Sequence, residues 1–315
     1  MLPLTGMPRR SDDTVTAVTA ARLVVVGVAL IVALDLRGAV ASQQPEAAPP
    51  CRVDSELVRL AGLPEASGIA ASRSVPGRLW SLNDSGKPIL FMLDTRGAVI
   101  GRIRVSGATV EDWEAIAAGR CRAGPCLYVA DIGDNNSDRR EITIYRVPEP
   151  AAPTVPAVAS EVFHGIYPDG PQDAESLLAT DDGGLYVVTK GSTGPVALYR
   201  FPRDLPSGGS VRLERVGVPR TTGKLREDER ITDGSVSPDG EWIVLRTHRA
   251  LMFHRAARFL AGDWQPERVV DLTRLGERQG EGVAFGPDNY VYLAGEGGRL
   301  ARSGTFARVT CTLER

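Results

Sequence analysis

From Cys51 onward the chain alternates short apolar, β-prone runs with polar turns. One hexapeptide organises the pattern. Asp112-Trp113-Glu114-Ala115-Ile116-Ala117 has variants before it, at Glu65–Ala70, and after it, at Asp173–Leu178, Thr232–Ser237 and Gly280–Phe285. Each joins an acidic or small polar residue to an apolar run, then a Gly- or Asp-rich turn and a second run: Leu79–Leu82, Leu127–Ala130, Leu185–Thr189, Trp242–Arg246 and Tyr290–Ala294. From Ser67 through Glu114, Glu175, Asp233 and Glu281 the steps are 47, 61, 58 and 48 residues. A period of roughly 40–50 residues with several strands per unit predicts the blades of a β-propeller.

The ends supply the last piece. The 34 residues after Glu281 and the 17 from Cys51 to Ser67 sum to 51, one further repeat, if the termini meet. The sequence therefore predicts an all-β, five-bladed β-propeller over 51–315, closed by N- and C-terminal strands. Six blades are the architectural alternative, and an open sandwich with accidental repeats is the plainer one. Four strands fit each blade. The first takes Ser67–Ala71, Arg78–Leu82, Ile89–Leu93 and Val99–Val105. The second takes Glu114–Ala118, Leu127–Ile132, Ile142–Val147 and Glu161–Ile166, with the Pro-rich stretch 147–156 as a surface loop. The third takes Ser176–Thr180, Leu185–Thr189, Val196–Phe201 and Val211–Val216, followed by a charged loop at 219–230. The fourth takes Gly234–Ser237, Trp242–Arg246, Ala250–His254 and Arg268–Leu272. The fifth takes Val283–Phe285, Tyr290–Ala294 and a strand within 300–313, its outer strand coming from 56–63.

The N-terminus follows a different rule. Arg9, Arg10 and Arg22 precede the unbroken apolar run Leu23–Leu34, and Ala39-Val40-Ala41 has the small-x-small form of a signal-peptidase site. Twelve residues rise only about 18 Å as a helix, short of the roughly 30 Å bilayer core. Residues 1–41 are expected to be a signal peptide and 42–50 a linker. The mature chain, starting at Ser42, is then secreted or periplasmic; an uncleaved membrane anchor is the alternative.

Export gives the four cysteines a meaning. Cys121 and Cys126 flank a turn and are expected to bridge. Cys51 and Cys311 stand at the two ends that ring closure brings together, and a second bridge there would staple the ring. Glycine, 34 of 315 residues, suits many tight turns. The net charge of −2 offers no broad basic surface, so nucleic acid is not an expected partner.

The recurring Glu-small-aliphatic-Ala start of the innermost strand resembles exported propellers of the esterase-like phytase group, and more distantly gluconolactonase-like propellers. The resemblance implies that Glu114, Glu175, Asp233 and Glu281, with Ser67 in the fifth place, ring the mouth of the central channel. Carboxylates that close repel, and calcium is the expected resolution; the alternative is that each caps strand amides or pairs with an arginine such as Arg246. Gluconolactonase-like sites mix Asn and Asp with Glu, and that mixture is not clear here. A second, local cluster at Asp131, Asp134, Asn136 and Asp138 has the oxygen-rich character of a calcium loop but misses the EF-hand pattern. Asn-, Asp- and Gly-rich loops also make good turns. Asn83-Asp84-Ser85-Gly86 repeats it more weakly in the first blade.

Nucleophilic catalysis has little support: no Gly-x-Ser-x-Gly or His-Glu-x-x-His occurs, and only three histidines exist. Lys190 and Arg246, each ending the second strand of its blade, are the candidate cations for an anionic substrate. Two functions follow from these residues. One is an exported propeller that binds an extracellular ligand through its rim loops. The other is a metal-dependent hydrolase of phosphate or ester substrates.

Overall fold

The computed structural model describes residues 51–315 except 55, 218–222, 288, 299 and 315. The expected signal peptide and linker lie outside the described residues. Five antiparallel sheets of four or five strands follow one another along the chain. Neighbouring inner strands pack side by side in chain order, and the fifth returns to the first. The chain is a five-bladed β-propeller.

From the axis outward, blade 1 runs Ala66–Ala71, Arg78–Asn83, Ile89–Asp94, Val99–Ser106, and blade 2 Trp113–Cys121, Gly124–Asp131, Ile142–Pro148, Glu161–Ile166. Blade 3 uses Ala174–Ala179, Leu185–Thr189, Leu198–Arg200 and Glu214–Gly217. Blade 4 uses Ile231–Val236, Trp242–Thr247, Ala250–Arg255 and Arg268–Asp271. In blade 5, Gln279–Phe285 and Tyr290–Glu296 precede Ser303–Cys311, whose outer edge pairs with both Cys51–Val53 and Val58–Ala61. The N-terminal strands thus complete the C-terminal blade, with Cys51 paired to Cys311 in the ladder and bonded to it by a disulfide. Cys121–Cys126 is the second disulfide. Both fit an oxidising compartment, and no described helix is long and apolar enough to cross a membrane.

Burial decreases from the axis outward. Inner strands such as Ala174–Ala179 are buried at every position, because neighbouring blades cover both faces, whereas the outer strand Val99–Ser106 alternates. The core lies between blades: Trp80, Leu82 and Met92 of blade 1 meet Trp113, Leu127 and Val129 of blade 2. Both buried indoles find acceptors, Trp80 in Glu149 Oε1 at 3.0 Å and Trp113 in the Thr109 carbonyl at 2.9 Å.

Two short strands pair outside their own blades. Ala157–Ala159, after the Pro-rich stretch of blade 2, pairs in parallel with the outer strand of blade 1. Ser210–Arg212 of blade 3 pairs in parallel with the outer strand of blade 2. The outer strand expected at 211–216 is therefore split between two sheets, a choice that strand patterning leaves open.

The two disulfides should differ in worth. Cys51–Cys311 spans 260 residues and Cys121–Cys126 only 5. Under the chain-entropy model the first lies at the upper end of roughly 2–5 kcal/mol and the second at the lower. Replacing Cys51 and Cys311 by Ser should lower the melting temperature by about 10 °C, at roughly 2–4 °C per kcal/mol. The Cys121/Cys126 double variant should lose less than half of that in the same calorimetric scan.

Candidate functional site

Every inner strand begins with a β-bulge. The register slips between Ala66 and Ile69, Trp113 and Ala115, Ala174 and Ser176, Ile231 and Asp233, and Gly280 and Val283. Counting back from the regular pairs, the extra residue is Ser67, Glu114, Glu175, Thr232 and Glu281 in turn. A bulge re-aims a side chain, and here it does so at one end of the channel in every blade. Ser67 Oγ lies 2.8 Å from the Glu114 carbonyl and 2.9 Å from its Oε2, and Thr232 Oγ1 donates to the Glu281 carbonyl at 3.0 Å. The bulges of blades 1 and 2, and those of blades 4 and 5, are thereby tied together.

Thr232, not Asp233, is thus the fourth member of the ring. Asp233 sits one residue further in, buried, where its Oδ1 accepts from Gly234 N at 2.7 Å and its Oδ2 from Val283 N at 2.8 Å. Burial pushes its pKa well up, opposed by those amides, by Arg246 and by the Ile69 amide of blade 1. It therefore bridges blade 4 to blades 5 and 1 as an amide cap.

Arg246 is likewise structural. It is 0 % exposed, its Nη1 donates to the carbonyls of Gly282 (2.6 Å) and Ala294 (2.9 Å), and its Nη2 is paired with the buried Glu277. A guanidinium so enclosed is not presented to a substrate. Lys190 is different. Its Nζ is in direct contact with Glu175 Oε1 and 3.9 Å from Asp173 Oδ2, and its side chain keeps 15 % exposure. Burial works against its charge, but Glu175 and Asp173 more than offset this and hold its pKa above the ordinary lysine value. The field of its ammonium also reaches Asp112, Glu114, Glu281 and Glu296.

The mouth holds more carboxyls than the repeat alone revealed. Asp112 and Asp173 precede the bulged glutamates by two residues, and Asp84 and Glu296 sit at the ends of second strands. Burial, then Glu175 and Asp112, raise Glu114 well above the usual carboxyl range; burial, then Glu296 and Glu114, do the same for Glu281. Asp84 is pushed up to about 7 by burial, Glu65 and Glu296, and its Oδ1 is buried without a hydrogen-bond partner. Gly133 lets two of these carboxyls pack against its backbone, since a Cβ there would fall 2.3 Å from Asp112 Oδ2 and 2.7 Å from Glu114 Oε1. His248 joins from blade 4. Its Nδ1–H donates to the Gly280 carbonyl at 3.1 Å and lies 3.8 Å from Glu281 Oε1, while burial, with Arg246 and Lys190, lowers its pKa and keeps it neutral. Asp112, Asp173, Glu296 and His248 were not anticipated. The recurrence of Asp-x-Glu at 112–114 and 173–175 is the signal that would have found the first two.

The four-carboxylate calcium site does not fit this geometry. Asp233 is spent on amides, Glu175 is paired with Lys190, and no group of three or more His, Cys, Asp or Glu among the described residues has metal-holding geometry. The second cluster is a capped turn. Asp131 accepts from the amides of Glu111 (3.0 Å) and Asp112 (3.1 Å) and from Arg139 Nη1 (2.9 Å), and Asp134 from the amides of Asp138 and Arg139, both at 3.0 Å. Asn136 and Asp138 point outward, exposed. Arg139 holds the position a cation would take.

No family model and no curated protein matches the chain. Among solved structures, it is similar to a pyrroloquinoline-quinone-bound aldose sugar dehydrogenase of Streptomyces coelicolor, at 11 % identity and a TM-score of 0.46, over 82 % of this chain and 99 % of that one. It is also similar to a gluconolactonase of Xanthomonas campestris, at 11 % identity and 0.43, over 84 % and 96 %. Likeness at this level bears on fold alone.

Lys190→Met should strand Glu175 and Asp173 and cost about 3 kcal/mol, the low end for breaking a buried pair because Lys190 is partly exposed. Adding Glu175→Gln should recover part of the loss, and urea midpoints in a double-mutant cycle measure it. Asp84 gives a pH signature. Between 3.8, its ordinary value, and about 7 the folded state holds a proton that the unfolded state has released, so stability falls as pH rises. Asp84→Asn should be neutral at pH 3.5 and stabilising at pH 8, read from melting curves across that range.

Proposed function

We propose that this is an exported β-propeller that binds, without transforming, a small ligand carrying an amine or guanidinium head, received at the acidic mouth. The carrying observation is the carboxyl cluster itself: Asp112, Glu114, Asp173 and Glu175 act on one another out of water and share one ammonium, that of Lys190. Asp84, Asp112, Glu114, Asp173, Glu281 and Glu296 outnumber the available positive charge, because Arg139 and Arg246 are already bonded and Lys190 is shared. A ligand N–H there makes charge-assisted bonds in a partly desolvated site, where they are strongest. The two disulfides and the N-terminal leader support export.

Binding would deprotonate Glu114, whose pKa lies high in the free protein. Isothermal titration with putrescine, arginine and calcium chloride at low salt tests this. The diamine should bind more tightly than calcium, with proton release visible as a buffer-dependent heat and with affinity rising with pH. Glu114→Gln should weaken it by roughly tenfold, the worth of one hydrogen bond to a charged group. Equal affinity in Glu114→Gln and wild type would sink the reading.

One observation favours a hydrolase instead. His248 is neutral with Nδ1–H committed to a carbonyl, which leaves Nε2 as a base on a ring 3.8 Å from Glu281, whose carboxyl burial holds well above its ordinary range. Turnover of nitrophenyl acetate or nitrophenyl phosphate that disappears in His248→Asn would select that reading over binding.

A further inference from the structure

The channel end opposite the mouth has the reverse chemistry. There the inner strands surround a cavity of about 220 Å³ to which all five blades contribute, with Ala70, Ala117, Leu177, Val236 and Phe285 among its walls. Arg73 stands on its edge, Nη1 at 3.0 Å from Asp181 Oδ1 in the turn between the first two strands of blade 3. The pair thus crosses the opening from blade 1 to blade 3. The backbone behind Arg73 is fixed: its N–H donates to Glu149 Oε2 at 3.2 Å, and Glu149 Oε1 also receives Trp80 Nε1. The two ends of the pair differ in freedom, with Arg73 19 % and Asp181 48 % exposed.

We propose that this cavity binds a small amphipathic carboxylate, a short-chain or aryl acid. Its apolar tail enters the channel and its carboxylate replaces Asp181 on Arg73. The lining side chains are apolar except Ser72, Arg73 and Ser235, so a polar tail would find few hydrogen-bond partners there. A volume below the roughly 300–1,000 Å³ of drug-sized pockets limits the ligand to a few carbons. An ion pair this exposed is weakly held, so a carboxylate anchored by its own tail displaces Asp181. The acidic mouth repels anions, so such a ligand enters only from the Arg73 end.

Hexanoate and its neutral counterpart hexanol, titrated against the purified mature chain by ligand-observed NMR, test the assignment. Hexanoate should bind in the millimolar range. Asp181→Asn should tighten it about two- to fivefold by freeing the guanidinium, and Arg73→Gln should weaken it at least about tenfold. Both variants alter a partly exposed ion pair, and their melting curves verify the fold. Ala117→Phe should abolish binding by filling the cavity. Hexanol binding as tightly as hexanoate, an unchanged affinity in Arg73→Gln, or no binding at roughly 50 mM ligand would each overturn the proposal.

Discussion

Five strands converging on one axis leave almost no room between their backbones, and that crowding governs the rest of the structure. A Cβ on Gly68 would fall 2.7 Å from Ile116 N, one on Gly282 2.6 Å from the Ser67 carbonyl, and one on Gly234 2.6 Å from Ser176 Oγ. Real side chains do not pack at such distances, so the positions beside the bulges are Gly68, Ala115, Ser176 and Gly282, with Asp233 as the exception. Asp233 is accommodated because its carboxylate replaces what a neighbour's amide would otherwise lack. Without it, Val283 N would be buried and unpaired, a loss of about 1–3 kcal/mol.

The same crowding creates the electrostatic problem at the mouth. The bulges that let the strands converge also turn Glu114, Glu175 and Glu281 toward one another out of water. Burial dominates the rise in their pKa, and mutual repulsion adds to it. A divalent ion is one solution and a lysine is another. Lys190 leaves the end of its second strand with its N–H bonded to the Asp173 carbonyl at 2.9 Å and its own carbonyl accepting from Ile231 N at 3.0 Å, so its origin is fixed between blades 3 and 4. One ammonium does not balance the carboxyls around it. Burial therefore still holds Glu114 and Glu281 well above the usual carboxyl range.

Blade number, ring closure and both disulfides were legible because each depends on spacing, which a linear sequence records. The mouth was legible in part, since the bulged glutamates recur at the blade period. Blade 4 broke the pattern: an acidic residue was sought where the repeat wanted one, and Asp233 lies one place beyond Thr232. A bulge shifts register by a single residue, and nothing in composition marks which of two neighbours is the extra one. Arg246 was misplaced for a different reason. Lys190 follows the last residue of its second strand, whereas Arg246 stands one residue inside the end of its own, where Glu277 pairs with the guanidinium, and a partner 31 residues away leaves no local trace. The acidic loop at 131–138 looked like a metal site because carboxylates that cap amides and carboxylates that bind calcium have the same composition.

The outer edges of the blades follow from a constraint that the inner strands do not face. A propeller closes around its axis but leaves every outermost strand with an unpaired edge, a template for aggregation. Blade 5 covers its edge with the N-terminal strands. Blades 1 and 2 are covered by segments borrowed from the following blade, Ala157–Ala159 and Ser210–Arg212, each leaving between the third and fourth strands of its own sheet. Blade 4 spends the corresponding connection on a short helix, Ala256–Leu260, after which Trp264 reaches the edge of blade 3 and lies 3.6 Å from where a Cβ on Gly217 would stand. Three consecutive connections thus reach back by the same route, twice with backbone hydrogen bonds and once with an indole. Because each belongs to one blade and covers its predecessor, separating two blades would expose an edge as well as a core. The borrowed segments therefore couple the blades at the circumference, where the inner strands cannot.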